Sequence, residues 1–382
     1  MSFNIGTNNL ESYLVPLDYF VSGGLWLTGN NNYGQLGNNG TTNSLSFLQT
    51  VSGGTNWQQA SCGTAVTAAI KTDGTLWLWG LNTSGQLGDN TIVSKSSPVQ
   101  TVSGGTNWLQ VQVNVSGAGI IALKSDGTFW YCGGVGATGA SNSSSPVQIS
   151  GGGNNWKYVS PWTNTNIAGI KTDGSLWLMG QNTYGQLGNN SNTNSTGVFV
   201  REYINSTNWK LVSCMSYSTV AMKTDGTIWS TGRNNQGQLG TNDTTSRLVF
   251  TQEITSSTNW KTMAGTGYFV MAIKTDGTLW GWGQNTLGQL ALNTRVNMSS
   301  PTQDITSATN WKSISTGASQ AMGIKTDGTL WGWGQNNLGQ LGLGNTAGVS
   351  SPVQTVSGGN NWRQVSSGSQ TAAINLSWGT VQ

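Results

Sequence analysis

The chain has 382 residues, of which only 8% are charged, and its formal net charge is +3. So slight a balance excludes the basic face on which a nucleic-acid binder relies, and with no histidine anywhere the commonest general base and zinc ligand are gone together, and Ser-His or Cys-His nucleophiles with them. A content of 55 Gly and 19 Trp against 6 Pro suits many short strands joined by tight turns, with large aromatic side chains packed between them.

Residues 1–18 read as a lead without Lys or Arg, whose apolar stretch Tyr13-Leu14-Val15-Pro16-Leu17 could dock on another subunit. No basic segment followed by an apolar run marks a signal peptide, and no window reaches the roughly 18 apolar residues of a membrane span. From Tyr19 to the end, residues 19–382, the chain reads as one repeat domain. Ser22-Gly23-Gly24-Leu25-Trp26 is a degenerate copy of a Lys-Thr-Asp-Gly-Thr-Leu-Trp-like run whose glycines recur at Gly74, Gly127, Gly174, Gly226, Gly277 and Gly328. Asp-Gly between β-rich runs such as Ala68-Ala69-Ile70-Lys71 and Thr75-Leu76-Trp77-Leu78-Trp79 predicts a hairpin. An Asn-Trp pair supplies a further strand, with its tryptophan at Trp57, Trp108, Trp156, Trp209, Trp260, Trp311 and Trp362, steps of 51, 48, 53, 51, 51 and 51.

A third signature, Gly-Gln-Leu-Gly, runs from Gly34, Gly85, Gly185, Gly237 and Gly339, with a variant ending in Ala291. One unit lacks it: Gly133 to Ala140 reads Gly-Gly-Val-Gly-Ala-Thr-Gly-Ala, and the repeat decays over the arc from Val111 to Trp162. That arc is a candidate functional surface or a place of drift. A sheet of about four short strands cannot bury both faces alone, so neighbouring units must stack. The chain opens on the second half of a unit and closes on the first half of one, Asn361-Trp362-Arg363-Gln364-Val365 through Ile374. Together they predict an all-β fold, a seven-bladed β-propeller of about 51-residue repeats, closed by a blade split between the N- and C-termini.

From Asp327 to Gln354 the chain carries Asp-Gly-Thr-Leu-Trp-Gly-Trp-Gly, then Gln-Asn-X-X-Gly-Gln-Leu-Gly, then Ser-Ser-Pro-Val-Gln. This combination resembles the regulator of chromosome condensation repeat, and the resemblance runs from about Tyr19 to the end. It implies a seven-bladed propeller with a shared blade. In the family's founding member one face promotes nucleotide exchange on a small GTPase and another contacts chromatin, helped by a basic tail and a protruding hairpin. Neither aid is visible in this sequence.

Most chemically tempting residues belong to the repeat. Asp73, Asp126, Asp173, Asp225, Asp276 and Asp327 share one hairpin turn, and Lys71, Lys124, Lys171, Lys223, Lys274 and Lys325 precede it by two residues. They are expected to form a solvated rim of nearly cancelling charge. A second basic set, Lys157, Lys210, Lys261, Lys312 and Arg363, follows the repeated tryptophan. Seventeen tryptophans fall in repeat positions and are expected to pack between blades; Trp162 and Trp378 do not. The Gly-Gln-Leu-Gly loops lack the Gly-Lys-Ser/Thr of a phosphate loop and read as turns. Cys62, Cys132 and Cys214 are too few and too scattered for disulfides or zinc.

What remains for recognition is Trp162, Arg201, Arg233, Arg247 and Arg295, arginine being over-represented in interface hot spots. The expectation is a binding or scaffolding propeller that is not an enzyme and has no catalytic residue, metal or cofactor, with a protein partner and no nucleic acid. Composition favours a structural or host-adhesion component of a bacteriophage virion, in symmetric multi-copy assembly with other virion subunits or on a host receptor. The alternatives are a cytoplasmic regulatory module of the nucleotide-exchange type acting on a small GTPase, and a lectin-like surface adhesin.

Overall fold

The computed structural model describes residues 22–114, 116–160 and 166–376. They form seven four-stranded antiparallel sheets, which we number as blades 1 to 7 from 57–100 onward. In blade 1 the inner strand Trp57–Cys62 is followed outward by Val66–Lys71, Leu76–Gly80 and Lys95–Gln100. The Asp-Gly turn between the second and third strands is fixed by side chains: the Asp73 carboxylate accepts the Thr75 N–H and hydroxyl at 3.0 and 2.6 Å, and Thr75 accepts the Trp77 indole N–H at 2.8 Å. The same relay recurs in blades 2 to 6, with Ser175 replacing threonine in blade 3.

Blade 7 is the split one. Its inner strands, Trp362–Ser367 and Gln370–Asn375, come from the C-terminal end, and Gly24–Gly29 and Ser44–Gln49 from the N-terminal end. Six consecutive residue pairs, Gly24 with Asn375 through Gly29 with Gln370, join the two halves. The two ends of the chain thus share one blade and close the ring, as its register predicts.

The core lies between blades. Val66, Ala68 and Ile70 of blade 1 pack on Trp108, Val111 and Ile120 of blade 2, while Ala69 and Trp57 pack the other way, on Leu25 and Leu27 of blade 7. Burial on both faces is why the second strands read as continuous apolar runs. Trp57, Trp79, Trp209, Trp282, Trp311 and Trp333 are among the largest wholly buried side chains.

At the axis, glutamine amides join inner strands. Gln110 Nε2 donates to the Val159 carbonyl at 3.0 Å while its Oε1 accepts the Val159 N–H at 3.1 Å. Gln59 bridges to Val111, and Gln364 to Ala60, in the same two-bond manner.

The hairpin lysines differ from the expected solvated rim. Lys71 Nζ lies 4.9 Å from the Trp57 ring centre and 4.1 Å from that of Trp77, and the corresponding lysines of blades 2 to 6 sit over tryptophan pairs likewise. Each ammonium is held by ring quadrupoles, worth about 0.5–2 kcal/mol per contact depending on exposure. Threonine and backbone N–H groups, not lysine, occupy the turn carboxylates.

In the Gly-Gln-Leu-Gly loops the glutamine accepts a loop N–H, as Gln86 does from Ser84 at 2.8 Å, and buried Asn82 accepts the Leu87 N–H. Blade 2, which lacks the signature, uses a 3₁₀ turn, Gly136–Thr138, with Val135 and Ala137 buried against blade 3. That part of the irregular arc is packing. The three cysteines are free and buried, and burial pushes the Cys62 and Cys214 thiols up to about 12 and raises Cys132 as well.

Buried carboxylates support the turns between blades 3 and 4, 4 and 5, and 5 and 6. Glu202 and Glu253 each accept an indole N–H at 3.2 Å, from Trp209 and Trp260, besides backbone N–H groups of their turns. Asp304, one methylene shorter, bonds Thr306 and leaves its Oδ1 and the Trp311 indole N–H without partners. Burial holds its carboxyl above the usual carboxylate range. Asp304→Glu is therefore expected to stabilise the fold by about 1–2 kcal/mol in urea unfolding at neutral pH. A raised native pKa costs stability only while the group is ionised, so the gain should shrink as pH falls through the carboxylate range; a gain that grew instead would exclude this account.

Candidate functional site

The strand directions give the ring two unlike faces. One, the turn face, carries the Asp-Gly turns and the segments leading into the Asn-Trp strands; the other, the loop face, carries the Gly-Gln-Leu-Gly loops and the hairpins between first and second strands. On the loop face a conserved backbone bond identifies equivalent residues from blade to blade. Leu81 N–H donates to the Ala65 carbonyl, Gly134 to Ala118, Gln335 to Ser319 and Asn30 to Ser369. In blade 4 the same bond joins Arg233 to Tyr217, and in blade 5 Gln284 to Tyr268. Blades 4 and 5 thus place tyrosines where four other blades have Ala or Ser.

These residues converge. The Arg233 guanidinium lies 5.1 Å from the ring centre of Tyr184, 5.7 Å from Tyr217 and 6.0 Å from Tyr268, with Tyr184 contributed by the loop of blade 3. Tyr184 and Tyr217 meet edge to face at 5.5 Å. All four side chains are half-buried. Tyr217 has φ 132°, a conformation that L-residues rarely adopt and one that costs on the order of 1–3 kcal/mol, held only where surrounding structure enforces it. Among the described residues no hydrogen bond or ion pair uses the Arg233 side chain, so its planar N–H fork is open to an acceptor. Tyrosine faces stiffen it; a carboxylate would complete it.

The other sequence candidates disperse. Arg247 pairs with Asp243 at 2.6 Å and donates to the Thr245 carbonyl. Arg295 is exposed in the loop of blade 5, on the same face. Arg201 ends the outer strand of blade 3 on the turn face, where it donates to the Asn205 and Ser206 carbonyls and so serves a turn. Trp162, Trp378 and the lead 1–18 lie outside the described residues. The three tyrosines escape a search for odd tryptophans and arginines, yet setting the hairpins in register would expose Tyr217 and Tyr268 against Ala65, Ala118, Ser319 and Ser369.

A family model described as RCC1-like domain matches residues 24–374. The ultraviolet-B receptor UVR8 of Arabidopsis thaliana is 28% identical over 304 residues, covering 77% of this chain and 68% of that protein. The regulator of chromosome condensation of Xenopus laevis is 26% identical over 323 residues, 78% of this chain and 75% of its own length. The crystal structure of Prp20p from Saccharomyces cerevisiae superposes with a TM-score of 0.83 at 15% identity, over 96% of this chain and 94% of that one. Relatives that are a receptor and a regulator overturn the expectation of a virion component and a virion location, which rested on composition alone; composition reported how the blades are built, not where they work. They favour the regulatory alternative. The chain belongs to the family of RCC1-like domain proteins.

Proposed function

We propose that this propeller regulates a protein partner without covalent chemistry of its own, and that the partner is a small GTPase whose nucleotide exchange it promotes through the loop face of blades 3 to 5. The observation that carries the reading is Arg233 held among Tyr184, Tyr217 and Tyr268, with Tyr217 and Tyr268 standing where four other blades keep Ala or Ser. Tyrosine and arginine dominate interface hot spots because they bring large, stiff, amphipathic area at small entropic cost. The resemblance to the regulator of chromosome condensation family supplies the partner class. The repeat tryptophans, the aromatic faces that a lectin-like adhesin would offer to a sugar, are taken up by packing between blades and by the lysine contacts.

The test is release of a fluorescent guanine nucleotide from a panel of small GTPases. At least one should exchange faster with the propeller present, and Arg233→Ala should lower the exchange efficiency about thirtyfold, the size of a 2 kcal/mol hot spot, with the melting temperature unchanged. Arg233→Lys, which keeps the charge and loses the fork, should fall between. No acceleration of any GTPase, or acceleration indifferent to Arg233, would sink the proposal.

A further inference from the structure

At six of the seven junctions between blades, the Gly-Gln-Leu-Gly loop of one blade, or its alanine variant, reaches across to the next. Its leucine is buried, as Leu87 is. Three residues on, a backbone N–H donates to a carbonyl of the neighbour's outer strand: Asn90 to Ser144 at 2.8 Å, Asn190 to Leu248 at 3.0 Å. The leucine fills the seam, and the N–H covers a sheet edge that would otherwise stand open.

The junction of blades 2 and 3 lacks both parts. The loop of blade 2 has no such leucine, and among the described residues none of its backbone N–H groups is bonded to the outer strand of blade 3, Ser195–Arg201. What it brings there is an acceptor, the Thr138 carbonyl beside Gly197. That strand is also irregular. It runs from Ser195 to Val200 across Leu178 to Gly180, one residue more than Lys95 to Val99 across Leu78 to Gly80, with Gly197 at φ 75° and Val198 63% exposed in the enlarged bulge. Where the outer strands of blades 1, 2, 5 and 6 carry Pro98, Pro146, Pro301 and Pro352, which guard an edge, blade 3 has Phe199.

A cleft takes the place of the leucine. Leu87 packs with Leu78 of its own blade and Cys132 of the next. Tyr131 and Met179 hold those register positions at the irregular junction, and both line a cleft of about 180 Å³ together with Val147, Ile149 and Gly197. No charged residue lines it. A dry apolar cavity of about 150 Å³ takes a benzene ring, so this one has room for a single leucine-sized side chain. A second copy of the chain keeps its own loop leucines buried.

We propose that the cleft between blades 2 and 3 docks a protein partner through a loop that supplies what the other six junctions draw from this chain. That loop offers a branched aliphatic side chain between small residues, then a backbone N–H for the outer strand of blade 3. Main-chain bonds along a sheet edge give affinity, and the pocket for one side chain gives specificity. The Tyr-Arg cluster lies at later junctions, so this docking does not rest on the function proposed for it.

The probe is a fluorescein-labelled peptide copying residues 82–93, a loop that closes on itself because the Asn82 amide bonds Asp89, Thr91 and Val93. It should bind the full-length protein one per chain and slow hydrogen–deuterium exchange in 195–201 and in no other outer strand. Leu87→Ala in the peptide, and Val147→Lys or Ala140→Leu in the protein, should each weaken binding at least about tenfold. Val353→Lys, at the register position of Val147 in blade 6, should leave it unchanged. Val147 and Ala140 are exposed, so both variants should keep the wild-type melting temperature; if one melts lower, the peptide's Leu87→Ala still decides. No binding at millimolar peptide, binding indifferent to Leu87 or to the cleft variants, or protection of a different blade would each overturn the proposal.

Discussion

Gly328→Ala is expected to destabilise the protein by more than about 3 kcal/mol, where Gly53→Ala costs about 1 kcal/mol. Both glycines have positive φ, +78° and +57°. The difference is what surrounds them. A Cβ on Gly53 meets nothing within 4 Å, whereas one on Gly328 would overlap the backbone carbonyl of Asn360 in the next blade. The Gly328 carbonyl also accepts the Trp362 N–H at 3.1 Å, so the turn cannot back away without breaking a bond between blades 6 and 7. Because that joint adjoins the split blade, its loss should loosen ring closure as well as the turn. Urea unfolding of the two variants beside the wild type measures the gap; equal costs would mean that the turn's own conformation, and not the approach of the next blade, is what the glycine serves.

Periodicity carries most of this fold. Asp-Gly turns, Asn-Trp strands and the half-units at either end suffice to place seven sheets and to say which strands close the ring, because each is a local signal repeated in one register. What spacing does not carry is the approach of one blade to the next. Gly328 reads as a turn glycine in sequence, and only the packed ring shows the neighbouring carbonyl against it. Lys325 reads as half of a surface charge pair with Asp327, yet Trp311 and Trp331 take its ammonium, at 4.9 and 4.1 Å, because bringing the second strand beside the first puts the lysine over both rings.

The candidate site was less legible for a related reason. Arg233 stands out in the sequence as a basic residue outside the repeat, but its significance depends on Tyr184, Tyr217 and Tyr268, which come from three different blades and meet only in the ring. The other three arginines stand out equally and were not separable by composition: Arg201 and Arg247 have local structural duties in turns, which no pattern of charges announces.

The amide bridges across the axis lead to the second large effect. Adjacent blades pack face to face, so their inner strands cannot exchange backbone bonds as strands of one sheet do, and buried backbone groups at the axis need side-chain partners. Gln110 supplies two of them for Val159, and both side chains are buried, Gln110 at 3% exposure. Gln110→Ala should cost about 2–4 kcal/mol, since it strands a buried N–H and a buried carbonyl together. Gln59→Ala should cost less, because Gln59 is half-buried and one of its two bonds is long at 3.4 Å. Gln110→Glu is the sharper probe: it keeps the acceptor for the Val159 N–H but turns a donor into a carboxylate oxygen facing the Val159 carbonyl. Its destabilisation should be greatest at neutral pH and should recede as pH falls, because protonation restores a donor and the native state then holds the proton more tightly than the unfolded chain. Urea unfolding at pH 7 and pH 4 reads this directly. If Gln110→Ala stays within 0.5 kcal/mol of wild type (roughly the scatter of neutral surface changes), or if Gln110→Glu weakens further in acid, the blades are held at the axis by apolar packing alone.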